Sequence, residues 1–204
     1  HEANLTDYAG MTLKVDNETY QLTSELVGSD RLGYKVKRAL PFKTPWRTVQ
    51  IADKDTELID SKLIVNLNEP NKLGDVSWFE PKKYVGIWWE MHVNKSTWGS
   101  GDKHGATTEN TKYFMDFAAD NGFDGVLVEG WNQGWDGDWF LNGDVFSFTK
   151  SYDDFDIQAI SDYAEKKGVK LIGHHETSGS VTNYRDQMAD AFALYQKLGV
   201  EQIK

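Results

Sequence analysis

The chain has 204 residues, enough for one hydrophobic core or for parts of two domains. Apolar residues at 39% and aromatics at 13% place it among packed globular proteins, because disordered chains lack the apolar burial that offsets ordering entropy. A formal net charge of −10 disfavours a phosphate-tracking groove and so excludes nucleic acid as a natural partner, and zero cysteines exclude disulfides and thiolate zinc sites.

No apolar run approaches the roughly 18 residues that a membrane span takes. The opening string HEANLTDYAG carries neither an initiator methionine nor the basic and apolar pattern of a signal peptide, so the chain reads as excised or processed.

Residues 1–75 have a period-two pattern in Met11–Val15, Gly33–Lys37 and Trp46–Ile51, which predicts half-buried antiparallel strands. A short helix over Asp55–Lys62 and a strand over Leu63–Leu67 follow, and the string NEPNKLG breaks the chain into a linker that runs from 68 to about 82.

Residues 83–204 alternate apolar strands with amphipathic helices, the pattern of parallel βα units. Tyr84–Trp89, Gly125–Val128, Val169–Gly173 and Val200–Ile203 are the predicted strands. Glu109–Asn121, Asp154–Lys167 and Asn183–Leu198 are the predicted helices, each followed by a glycine suited to the left-handed position that ends a helix. A closed eight-stranded barrel typically takes about 250 residues. Three units and the start of a fourth fit here, so the expected fold class is α/β, the first part of a TIM-type (β/α) barrel in a chain that stops inside a strand.

Such barrels carry their chemistry at the C-terminal strand ends. The first predicted strand ends in Glu90 and His92, the second in Glu129 and Trp131, the third in His174, His175 and Glu176. Alternation puts His174 and Glu176 on one face and His175 on the other. A carboxylate beside a histidine can activate water as a general base, and a structural hydrogen bond is the plain alternative for any one such pair. Glu129 and Trp131 divide between substrate binding and support, and Glu90, His92 and His175 read as supporting groups. Eight tryptophans could stack on sugar rings, although core packing accounts for most tryptophans. Zinc would need ligands that converge, and adjacent His174 and His175 point apart.

The strings IWWEMH at 87–92, GVLVEGWNQGW at 125–135 and GHHETSGSVTNY at 173–184 resemble glycoside hydrolase family 97, as do TPWRTVQIAD at 44–53 and LIVNLNEP at 63–70. The resemblance implies that the first part is the end of an N-terminal antiparallel β-sandwich domain and the second the opening of the catalytic barrel. It further implies an exo-acting α-glucosidase that hydrolyses terminal bonds of α-linked oligosaccharides with inversion. Glu176, in the HHET string, would be one of two general bases, and His174 and Lys204 would contact the sugar. The second base, the general acid and the calcium-binding glutamates would lie outside this chain, so calcium is implied for the longer enzyme with no metal ligands here. A periplasmic or secreted location is implied as well.

The family also contains retaining α-galactosidases, whose nucleophile would lie just beyond Lys204. A zinc-dependent barrel hydrolase and a noncatalytic carbohydrate-binding protein are the readings from other classes. The chain alone, as an unclosed parallel sheet, is expected to be inactive.

Overall fold

The computed structural model describes residues 13–24, 33, 37–43, 48, 50–67 and 69–204. The chain divides into two compact units, 1–78 and 79–204.

In the first unit, β1 (Leu13–Asp16) and β2 (Gln21–Ser24) form an antiparallel hairpin, with Leu13 opposite Ser24 and Asp16 opposite Gln21. The Asp16 carboxylate accepts from the backbone N–H groups of Glu18 and Thr19 at 2.9 and 3.1 Å, which closes the turn locally. The strands predicted at Gly33–Lys37 and Trp46–Ile51 fall largely outside the described residues.

Two short helices follow, α1 (Asp55–Ile59) and α2 (Leu63–Asn66). The strand expected at Leu63–Leu67 is therefore a helical turn. Asn66 N donates to Lys62 O at 3.0 Å and Leu67 N to Leu63 O at 3.2 Å. A short apolar run has no period long enough to separate strand from helix, and the neighbours Val65 and Asn66 are both exposed rather than alternating in burial.

The second unit is mixed α/β around a parallel three-stranded sheet of order β3 (Tyr84–Ile87), β4 (Gly125–Val128), β5 (Lys170–Ile172). Ile87 lies opposite Val128, and Leu127 opposite Ile172. All four β4 residues are buried, which explains why this strand reads as a continuous apolar run.

The strand predicted to reach Trp89 stops at Ile87, and Trp89–His92 turns instead into a short helix, α3. Met91 N and His92 N both donate to Trp88 O, at 3.1 and 3.3 Å, and the turn drives Met91 into the core at 2% exposure. Helix spacing, rather than strand alternation, is what buries Met91. Glu90 and His92 consequently sit on a helical turn beyond the strand end.

The longer helices are α4 (Thr108–Asp120), α5 (Ile157–Lys167) and α6 (Val181–Lys197). Thr107 caps α4 by accepting from Asn110 N at 3.1 Å, and Asp156 caps α5 by accepting from Ala159 N at 3.0 Å. Gly122, Gly168 and Gly199 take positive φ at or just past the three C-termini. Helix α4 packs on β3 and β4, α5 on β5 and α4. Ile87, Met91, Met115, Val126, Val128, Ile160 and Leu171 form the shared core.

The segment expected as a fourth strand pairs with the chain beyond β5 through one parallel bridge, Gly173 with Ile203. Gly173 N donates to Gln202 O at 2.8 Å, Lys204 N to Gly173 O at 2.9 Å and His175 N to Lys204 O at 3.0 Å. The long segment from Glu129 to Asp156 packs around a second cluster of its own, Trp135, Phe146, Phe148 and Tyr152, together with Ala191 of α6.

Candidate active site at the strand ends

The residue after β4 is Glu129, and two residues past β5 stands His174; both are buried. Parallel pairing in register brings these positions side by side, and the bridge at Gly173 brings Lys204 to the same end of the sheet. Lys204 Nζ lies 2.5 Å from Glu129 Oε1, and His174 Nε2 lies 3.6 Å from the same oxygen. The other oxygen, Oε2, accepts from the indole N–H of Trp98 at 3.2 Å. Lys204 also lies 6.0 Å from the Trp88 ring centre, close enough for a cation–π contact.

Burial opposes ionisation of Glu129, but the Lys204 ammonium, the His174 ring and the Trp98 N–H outweigh it and hold the carboxyl below its ordinary range. Burial acts the other way on His174, lowering its affinity for a proton despite the nearby Glu129 and Glu176 carboxylates. The cluster is therefore a carboxylate–ammonium pair flanked by a neutral imidazole.

The His174 backbone is fixed from two sides. Its N–H donates to the Tyr195 hydroxyl at 3.1 Å, and its carbonyl accepts from Trp131 Nε1 at 3.1 Å and from that same hydroxyl at 3.3 Å. The Trp135 ring stacks on its imidazole at 5.9 Å. Trp131 itself is 2% exposed. Its ring belongs to the core, where it braces His174 rather than presenting a face at the mouth.

Glu176 is half-buried and accepts from Ser178 N at 2.6 Å. The Ser178 hydroxyl donates to Phe140 O at 2.8 Å, which ties the segment after β4 to the turn that carries Glu176. His175 faces the opposite way from His174, into an aromatic cage. Its ring stacks on Tyr195 at 4.8 Å, meets Phe148 and Phe192 edge-on, and its Nδ1 lies 3.1 Å from the Tyr184 hydroxyl. Burial, with a smaller contribution from His174, lowers its pKa to about 4.

Glu90 accepts from Asn110 Nδ2 at 2.9 Å and so links α3 to α4. His92 is exposed and meets Trp88 and Trp98 edge-on at 5.1 and 4.9 Å. The structure thus gathers Glu129, His174 and Lys204 in direct contact, sets Glu176 within electrostatic reach of His174, and leaves Glu90 and His92 on the neighbouring turn.

Two residues at the site have no counterpart in the sequence reading, Trp98 and His104. Both lie in the segment between α3 and α4, closed by the bridge of Thr97 with His104. Their partners are 26 to 50 residues away in sequence, beyond any local spacing rule. The length of that segment was the one available signal.

A calcium ion takes about six to eight oxygen ligands. Among the described residues no three His, Cys, Asp or Glu side chains gather as a metal needs. The strand-end carboxylates already have partners, Glu129 in Lys204 and Trp98, Glu176 in Ser178, and Glu90 in Asn110. These residues do not fit a metal centre. No helix among the described residues is long and apolar enough to cross a membrane.

A buried carboxylate paired with a lysine, a histidine beside it and a second carboxylate on the next turn, all at the ends of parallel strands, form the kind of site that hydrolytic βα enzymes carry. Residues 88–204 match the profile described as glycoside hydrolase 97, and residues 1–70 that described as glycosyl-hydrolase 97 N-terminal. The chain belongs to glycoside hydrolase family 97, whose characterised relatives are enzymes.

Solved structures of a family 97 enzyme from Pseudoalteromonas sp. strain K8 are 64% identical, with a TM-score of 0.84, and cover 100% of this chain and 30% of that one. They include a complex with acarbose and a variant in complex with panose. A curated relative, the retaining alpha-galactosidase of Bacteroides thetaiotaomicron, is 24% identical over 225 residues, covering 100% of this chain and 31% of its own length. The chain thus spans about a third of the length of these relatives.

Proposed function

We propose that this chain is the opening part of a catalytic (β/α)8 barrel, preceded by the end of a β-sandwich domain, in an exo-acting α-glucosidase that hydrolyses terminal α-glucosidic bonds with inversion. The observation that carries the reading is the convergence of Glu129, His174 and Lys204 beside Glu176, in a chain 64% identical to an enzyme that binds acarbose and panose. Panose is built of α-linked glucose, so an oligosaccharide of that class is the proposed substrate.

Glu176 would take a proton from the attacking water as general base. Its carboxylate is oriented by the Ser178 N–H, leaving lone pairs free for that water. His174, held neutral, can donate to or accept from a sugar hydroxyl through Nε2 according to its tautomer, whereas Lys204 can only donate; Glu129 orients Lys204 and stands beside His174. In an inverting enzyme the acid stands about 6.5–9.5 Å from the base to admit the water. That acid, the second base and the calcium ligands would come from elsewhere in the enzyme, and no step here runs through the metal. A periplasmic or secreted site of action suits a glucan-degrading enzyme.

A second reading, a retaining α-galactosidase, is favoured by the 24% identical curated relative. Proton NMR of an α-glucoside under digestion, with Glu176→Gln run in parallel, separates the two. Initial release of β-glucose, with activity lost roughly 100- to 10,000-fold in the variant, supports inversion with Glu176 as base. Initial release of α-glucose, turnover of α-galactosides alone, or an unimpaired variant overturns it.

A further inference from the structure

His104 lies outside the cluster just described, yet it is 7% exposed and both of its ring nitrogens are engaged. Nδ1 lies 2.9 and 2.8 Å from the two carboxylate oxygens of Asp154, and Nε2 lies 3.0 Å from the carbonyl oxygen of Gly130. A backbone carbonyl only accepts, and so does an ionised carboxylate. A neutral imidazole carries one N–H and serves only one such partner; serving both takes a proton on each nitrogen.

The place of these contacts gives them their meaning. Gly130 is the residue after Glu129 and takes φ +87, where the chain turns sharply out of β4. A Cβ there would meet Trp98 O at 2.8 Å, so the backbone of Trp98 lies directly against the corner. Trp98 and His104 belong to one pinched segment, with Thr97 N donating to Lys103 O at 2.8 Å and Gly105 N to Thr97 O at 3.0 Å. From this segment the Trp98 indole reaches the Glu129 carboxylate and the His104 ring reaches the next carbonyl. Two adjacent points of one corner are thus gripped by one clamp.

We propose that His104, doubly protonated between Asp154 and Gly130, is the positioning residue for Glu129. It fixes the Gly130–Trp131 peptide, one step beyond the Cα from which that carboxylate projects toward Lys204 and His174. The ring is paired with Asp154 and meets the Tyr152 ring edge-on at 5.1 Å, and the Asp136 carboxylate lies within electrostatic reach of it. Asp136 is held by Ser100 N at 2.6 Å and by the Tyr152 hydroxyl. Loss of the proton would release either Gly130 or Asp154.

The inference rests on the reading of Glu129 as part of the sugar site, and the test separates the two. In the protein carrying this chain, 15N correlation spectra of the His104 ring are recorded at neutral pH and compared with Asp154→Asn. Steady-state kinetics on an α-glucoside follow for His104→Gln, Asp154→Asn and Glu129→Gln. We expect both ring nitrogens protonated in the parent and a singly protonated ring in Asp154→Asn. We expect kcat reduced on the order of 100-fold in His104→Gln, and in Asp154→Asn an activity that falls at lower pH than in the parent, an alkaline limb that a merely structural role does not move.

A ring with one bare nitrogen at the pH of full activity overturns the clamp. Wild-type kcat and pH profile in His104→Gln and Asp154→Asn, with Glu129→Gln inactive, overturn the positioning role alone. A fully active Glu129→Gln overturns the site reading and the positioning role with it, while the ring spectrum still decides the clamp.

Discussion

Lys204 Nζ lies 2.5 Å from Glu129 Oε1 across a sequence separation of 75 residues, and this contact joins the last paired segment of the sheet to its central strand. Glu129 is 7% exposed, whereas the Lys204 side chain is 56% exposed, so the carboxylate depends on the pair more than the ammonium does. Lys204→Met is expected to destabilise the protein by about 2 kcal/mol, the cost of stranding a buried charged acceptor. Denaturant unfolding checks this, and a carbon-detected titration should find the Glu129 carboxyl moved upward. An unchanged titration means that Trp98 and His174 alone hold the charge.

Gly173 has no room for a side chain. A Cβ at this position would meet the Tyr195 ring at 2.5 Å, and Tyr195 is the residue whose hydroxyl brackets the His174 backbone. Gly173→Ala is expected to cost about 1–3 kcal/mol through overpacking, and to move the His174 amide resonance. A thermal melt and an amide spectrum read the two effects, and an unshifted His174 amide means that the ring yields without disturbing the site.

His175 makes stability depend on pH with a definite sign. Burial lowers its folded pKa to about 4, below the ordinary value of 6.5, so the unfolded chain binds more protons between those limits. The neutral ring's contribution is complete above about pH 6.5 and is lost as pH falls toward 4. Replacing it with phenylalanine, which keeps an aromatic ring in the cage, should flatten the fall of Tm across that window. A slope equal to the parent's assigns the acid sensitivity to His174 or to carboxylates instead.

The cap on α5 tests a local interaction outside the strand-end cluster. Asp156 accepts from Ala159 N at 3.0 Å, and Asp156→Ala is expected to cost about 1 kcal/mol. Its effect on kcat should be nil, read on the same samples, since no atom of the strand-end cluster touches it.

The second unit was the more legible part of the sequence. Gly125–Val128 occupies its predicted bounds, and α4, α5 and α6 lie within a few residues of theirs, because amphipathic periods and glycines at the ends agree. Leu63–Asn66 was misread because a four-residue run carries no usable period, and the strand predicted as Tyr84–Trp89 ran two residues too long because nothing in the local pattern marks where it gives way to a helical turn. Within the site, alternation beyond β5 anticipated that His174 and His175 turn opposite ways. The ties of Trp98 to Glu129 and of His104 to Gly130 join residues on separate segments, and nothing in the local pattern of either segment encodes them.

The segment from Glu129 to Asp156 encloses its own cluster of Trp135, Phe146, Phe148 and Tyr152. A connection with a cluster largely of its own, closed against Ala191 of α6, can open and reclose as a local unit without melting the sheet beneath it. Its opening would carry Trp135 off the His174 ring and Phe140 away from Ser178 in one event. The mouth of the site would then have a stability separate from that of the parallel sheet, and amide exchange in this stretch would measure it directly.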